Sequence, residues 1–194
     1  NSERELKKMN IDSALYIGNL KFNRAKMQKK EKYNNKELIN YLGDDKCIVF
    51  GSTWERDEEI IFDYMSEEFN KNVKYIIAPH EVSEKNINRI KSKLNNKVNL
   101  LSDNKYNAQN NILIIDTIGV LKYLYKFSHI SYVGGGFKKK GLHNILEPCV
   151  YGNPVIFGKY FKFSNEAKAL IKLKGGFSIQ TVSYTHLRAH ETSA

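Results

Sequence analysis

The chain has 194 residues, 41% hydrophobic and 27% charged, which is enough length and apolar content for a packed domain and excludes a disordered tail. Its 31 Lys and Arg against 21 Asp and Glu give a formal charge of +10. No apolar run approaches the roughly 18 to 20 residues that a membrane-crossing helix needs. Two cysteines, Cys47 and Cys149, cannot build a disulfide framework. Each lies in an apolar segment, as a buried free thiol does in a reducing, cytosolic compartment.

The basic surplus is spread along the chain, and only Lys138, Lys139 and Lys140 form a block. Nucleic-acid binders concentrate Lys and Arg on one stripe, whereas a scattered surplus keeps a protein soluble or steers an anionic ligand.

Residues 1–46 open without Met and read as the interior of a longer protein, the end of an amino-terminal domain and an interdomain linker. A strand is predicted at Ala14 to Ile17, a turn at Gly18-Asn19, and then a Lys- and Asn-rich stretch to Gly43 that feeds one helix. From Cys47 onward short β-branched runs recur: Cys47 to Phe50, Val73 to Ala78, Val98 to Leu101, Ile112 to Ile115, Ile130 to Val133 and Pro154 to Phe157. Between them lie apolar residues at helical spacing, such as Ile60, Ile61, Tyr64 and Met65, or Ile87, Ile90 and Leu94. Strand alternating with helix predicts an α/β fold, a Rossmann-like, doubly wound parallel sheet of about six strands over residues 47–181. Residues 182–194 lose all apolar periodicity and resemble a translated sequencing adapter, so they are set aside as a non-native tail. His186 and His190 there are four apart, but Leu187 stands where a zinc protease needs Glu, so no metal site is expected.

Four strand-to-helix junctions carry polar residues, and in an open α/β sheet the carboxyl ends of the strands face the ligand crevice. At the first, Gly51-Ser52-Thr53-Trp54-Glu55, the Ser52 and Glu55 spacing fits a capping box, and the same amides and hydroxyls suit an anion or a sugar. At the second, Pro79-His80, the imidazole either donates to a phosphate or is an ordinary surface group. At the third, Asp116-Thr117-Ile118-Gly119-Val120, Asp116 or Thr117 caps a helix, and Gly119 admits a nucleotide close to the backbone.

The fourth runs from Gly134-Gly135-Gly136 to His143-Asn144-Ile145-Leu146-Glu147-Pro148. Its glycines permit a tight turn, and His143, Asn144 and Glu147 are expected on one helical face. Glu147, an acceptor-only carboxylate, suits the paired hydroxyls of a ribose, while Asn144 also suits a helix cap. A dinucleotide fingerprint starting at Gly134 needs Gly at position 139, which is Lys, and no phosphate-loop motif occurs. Neither a dehydrogenase nor an NTPase is supported.

In order and spacing these junctions, with Gly18-Asn19-Leu20-Lys21-Phe22 before them and Gly152-Asn153-Pro154-Val155-Ile156-Phe157-Gly158 after, resemble the carboxyl-terminal half of the 3-deoxy-D-manno-octulosonic acid (Kdo) transferases. The resemblance implies a GT-B glycosyltransferase whose carboxyl-terminal, donor-binding domain spans residues 47–181. It also implies inverting, metal-independent transfer without a cofactor, from CMP-Kdo to a phosphorylated lipid A precursor. The expected setting is lipopolysaccharide biosynthesis at the cytoplasmic face of the bacterial inner membrane, with the membrane surface as partner and no nucleic acid.

By the same resemblance, Pro79 and His80 fall where a Pro-Arg pair contacts CMP, so His80 replaces the Arg. Ile118, Gly119 and Val120 match a Met-Gly-Glu segment, with Val120 in place of Glu. Asn144, Ile145, Leu146 and Glu147 match an Asn-Pro-Leu-Glu segment. Ser52, Thr53, Gly135, Gly136 and His143 complete the expected donor site, and the lysines at 138–140 are candidates for the missing charge. No catalytic base is expected in this chain; the family's lies in the amino-terminal domain. The alternative readings are a GT-B domain for another nucleotide sugar, or a basic nucleic-acid-binding module.

Overall fold

The computed structural model describes residues 20–138 and 141–179. The predicted strand at Ala14 to Ile17, the Gly18-Asn19 turn, Lys139, Lys140 and the tail after Ile179 lie outside the described residues. In chain order the elements are α1 (Leu20–Gln28), α2 (Lys36–Leu42), β1 (Lys46–Thr53), α3 (Glu55–Glu68), β2 (Val73–Pro79), α4 (Glu84–Lys93), β3 (Asn99–Leu100), β4 (Ile112–Ile114), α5 (Leu121–Leu124), β5 (Ile130–Val133), α6 (Leu146–Cys149), β6 (Val155–Gly158), α7 (Asn165–Lys172) and β7 (Gly176–Ile179).

The seven strands form one sheet in the order β3-β4-β2-β1-β5-β6-β7. Every pairing is parallel. Both faces of such a sheet are covered, so its strands are apolar on both sides. On β1, Ile48 and Phe50 point to the layer holding Ile60, Ile61, Tyr64 and Met65 of α3. The alternate residues, Cys47 and Val49, point to the layer holding Leu38 and Leu42 of α2 with Leu124 and Tyr125.

Two expectations change. The linker stretch holds two helices, because Asn35 caps α2 by accepting from the Leu38 amide at 2.9 Å and so starts a second helix after the first has ended. A seventh strand, β7, pairs with β6 at the sheet edge. Its short Gly-Phe-Ser-Ile run is only half-buried at its centre and carries little periodicity.

The chain leaves β1 toward β2 on one side, then returns to place β5 on the other. The carboxyl ends of β1 and β5 therefore flank the topological switch point, where open parallel sheets hold their ligands.

Candidate functional site

At the switch point the first junction differs from the expected capping box. β1 continues through Thr53, with Ser52 at φ +53°, so the helix begins two residues later and Trp54 is its N-cap. The Trp54 amide donates to Oδ2 of Asp57 at 2.8 Å. The same carboxylate accepts from the Gly135 amide at 3.1 Å and from the Tyr132 hydroxyl at 2.6 Å. Asp57 is only 1% exposed. Beside it the Thr53 hydroxyl donates to Glu58 at 3.0 Å, and the Arg89 guanidinium of α4 closes on the other Glu58 oxygen. The first turn of α3 is thus occupied by its own carboxylates.

The three glycines let chain segments converge. A Cβ on Gly134 would lie 2.2 Å from the Ser52 carbonyl oxygen, and one on Gly136 would lie 2.5 Å from the Gly158 nitrogen. Both contacts are to backbone, so neither position has room for a side chain. Gly135, at φ +88°, turns its amide inward to Asp57 and not toward the crevice.

An aromatic stack lies next to this turn. The Trp54 ring stacks on His80 at 4.3 Å between centroids and on His143 at 6.1 Å, and the two imidazoles are 4.4 Å apart. The indole Nε1–H donates to Nε2 of His143 at 2.8 Å. The Lys138 ammonium sits over the Trp54 ring, 4.2 Å from its centroid. Burial holds the His143 pKa below its ordinary value, His80 adds to this, and Asp57 opposes it. The fold thus unites His80 and His143 from separate junctions through Trp54, to which the sequence had given no role of its own.

His143 also opens onto a cavity of about 510 Å³, lined with it by Asn144, Ile145 and Glu147, by Lys21 and Arg24 of α1, and by Tyr160 and Phe163. The expected helical face is not what brings these groups together: α6 has only four residues and starts at Leu146. His143 and Asn144 precede it in irregular chain, where the Asn144 side chain accepts from the Leu146 amide at 3.2 Å and donates to Glu147 at 3.1 Å. Burial raises the Glu147 pKa, while Asn144, Arg24 and Lys122 pull it down. Ile145 and Leu146 are buried, 2% and 4% exposed, and act through packing. Lys21, in the Gly18 to Phe22 run of the resemblance, and Arg24 come from the stretch read as linker, and neither was expected at the donor site.

The third junction does not form the expected cap. The Asp116 carboxylate accepts from the Ser102 amide at 3.0 Å and from its hydroxyl, and the short α5 starts after Val120 without a side-chain cap. Ile118 is 87% exposed, Gly119 at φ +87° faces open space, and Val120 packs at the edge of the core. None of the three lines the cavity. The following helix does meet α1: Gln28 donates to the Lys122 carbonyl at 3.1 Å, and Glu31 binds Lys122 and Tyr123 at 2.7 and 2.8 Å. Pro79 is buried at the end of β2, and the His80 amide donates to the Thr53 carbonyl at 2.8 Å, so the second junction abuts the first.

The seven-stranded parallel sheet with its flanking helices is an α/β, Rossmann-like fold of the kind that GT-B glycosyltransferases carry in their carboxyl-terminal domains. Among solved structures the fold is similar to the C-terminal CMP-Kdo binding domain of WaaA from Acinetobacter baumannii, with a TM-score of 0.67 over 89% of this chain and 88% of that one, at 21% identity. It is also similar to a UDP-N-acetylglucosamine 2-epimerase, with a TM-score of 0.60 over 99% of this chain and 47% of the other, at 14% identity. No protein-family profile matches the chain.

In sequence it is 32% identical over 193 residues to the 3-deoxy-D-manno-octulosonic acid transferase of Rickettsia prowazekii, covering 92% of this chain and 40% of the relative. It is 38% identical over 175 residues to a bifunctional glycosyltransferase/methyltransferase of Fusobacterium nucleatum, covering 86% of this chain and 27% of that protein. Several further Kdo transferases match at about 31–32% identity over most of the chain, so the chain is similar in sequence to part of these enzymes. It spans about a quarter to two fifths of the length of the Fusobacterium and Rickettsia prowazekii relatives.

Proposed function

We propose that this domain is the donor half of a Kdo transferase, binding CMP-Kdo in the crevice where β1, β5 and the segment before α6 meet. The observation that carries the reading is the cavity wall: Glu147, His143 and Arg24 line one space of about 510 Å³. A ribose offers two donors to a carboxylate, and a phosphate accepts from a guanidinium and an imidazole N–H. The relatives named as Kdo transferases and the fold shared with a CMP-Kdo binding domain support the choice of nucleotide.

In an inverting transfer the acceptor hydroxyl loses its proton to a base as CMP departs with growing negative charge. The part of this domain is to stabilise that charge with preorganised donors. Arg24 supplies a planar, bidentate fork, which compensates for His80 at the position where the family resemblance places an Arg. Lys138, held over Trp54, and Lys21, in the cavity wall, add positive charge to the site. Ser52, Thr53, Gly135 and Gly136 form the packed turn beneath His143, while Ile118, Gly119 and Val120 stand outside the cavity and are given no contact with the donor. No residue here is assigned as the base, which belongs to the amino-terminal half.

The acceptor in this reading is a phosphorylated lipid A precursor, and the reaction belongs to lipopolysaccharide assembly at the cytoplasmic face of the inner membrane. No helix among the described residues is long and apolar enough to cross a membrane. In this reading the membrane surface is a partner of the whole enzyme.

Calorimetric titration of the 194-residue chain with CMP, UDP and cytidine tests the proposal. CMP is expected to bind more tightly than UDP, and the chain alone to transfer no sugar. Tighter binding of UDP would move the domain to a different nucleotide-sugar enzyme of the same fold.

A further inference from the structure

The stack at the crevice mouth sets the chemical form of His143. An indole N–H can only donate, so the 2.8 Å bond from Trp54 Nε1 requires a lone pair on His143 Nε2. The one ring proton must then sit on Nδ1, and the imidazole is neutral. Protonating Nε2 would set two donors against each other and bring a second positive charge beside Lys138.

We infer that Trp54 is a positioning residue which holds His143 as the neutral Nδ1–H tautomer, so that His143 meets the donor's phosphate as a hydrogen-bond donor and not as a cation. The inference rests on the proposed donor site and adds how one of its groups acts.

The surroundings of His143 agree with this. From β2 comes His80, whose ring lies 4.4 Å away; from the loop after β5 comes Lys138, over the indole; from α3 comes Asp57. Asp57 already accepts from three donors, the Trp54 amide, the Gly135 amide and the Tyr132 hydroxyl. Among the described residues no acceptor is bonded to Nδ1 of His143, and the residue lines the cavity with Arg24 and Glu147. Charge toward a phosphate then comes from Arg24 and the lysines, and His143 contributes direction.

The test uses ¹⁵N-labelled chain and the variant Trp54→Phe, which keeps an aromatic ring in the stack but removes the N–H. In the ligand-free protein at pH 7, the His143 nitrogen shifts are expected to report protonated Nδ1 and bare Nε2. Trp54→Phe is expected to mix the tautomers, raise the His143 pKa, and weaken CMP about tenfold, the equivalent of one hydrogen bond. His143→Gln serves as a second variant and should lose CMP affinity to a similar degree without a pH dependence of its own.

A protonated Nε2 in the wild-type protein would overturn the inference, as would shifts that Trp54→Phe leaves unchanged. If the tautomer is as expected and CMP fails to bind, the donor-site reading falls while the role of Trp54 toward His143 stands. CMP affinity that rises on acidification with the His143 titration would contradict the neutral-donor role.

Discussion

The carboxylate of Asp57, in the first turn of α3, accepts the amide of Gly135, 78 residues later in the chain, at 3.1 Å. That bond fastens the glycine turn after β5 to the end of β1, and so fixes the crevice between them. Asp57 is buried with three donors around it, so a substitution leaves donors without a partner. Asp57→Asn turns an amide NH₂ toward one of them and is expected to cost about 3 kcal/mol of stability. Urea denaturation of wild type and variant measures it; a loss under about 0.5 kcal/mol would contradict the role.

The glycine turn predicts a graded series. Gly134→Ala and Gly136→Ala push a methyl into backbone at 2.2 and 2.5 Å, so both should lose several kcal/mol or fail to fold. Gly141→Ala, at φ +96° with nothing within 4 Å, bears only the left-handed backbone cost of about 1 kcal/mol. Thermal melts of the three variants check the order.

Both thiols are free, and burial pushes the Cys47 pKa up to about 12 and the Cys149 pKa up to about 11. The thiolate is the reactive form. Iodoacetamide at pH 8 should therefore modify neither cysteine in the folded chain, and both promptly in urea. Mass spectrometry reads the outcome.

Glu147 gives opposite pH signs for stability and for binding. Its folded pKa is raised above the unfolded value by burial, so the fold favours the protonated form. Its contribution to stability is complete below the unfolded pKa and is lost as pH rises through the folded pKa. Binding of a ribose needs the carboxylate, so CMP affinity should grow as pH rises through that same folded pKa. Glu147→Gln is expected to weaken CMP by about tenfold or more and to remove that pH dependence. Calorimetry between pH 4.5 and pH 8 follows both.

Much of the fold is legible in the sequence because burial on both faces forces continuous apolar strands, and six of the seven announce themselves that way. β7 is hidden by its short, half-exposed run, and α1 by a stretch too polar to show a face. At the site, the glycines, His143 and Glu147 are visible as types in a row. What brings them together is not: Asp57 reads as one of several helix-start acids, and Lys21 and Arg24 as linker charge. The cap at Trp54 is missed because β1 runs through Thr53 with Ser52 in a left-handed conformation, which places the helix start two residues late.

The central claim is that the ends of β1 and β5 and the segment before α6 hold one nucleotide. Titrating CMP into ¹⁵N-labelled chain while recording amide shifts tests it most directly. Saturable changes should cluster at Ser52 to Trp54, His80, Gly134 to Gly136 and His143 to Glu147. Changes confined to β3, β4 or β7, or none at millimolar CMP, would contradict the account.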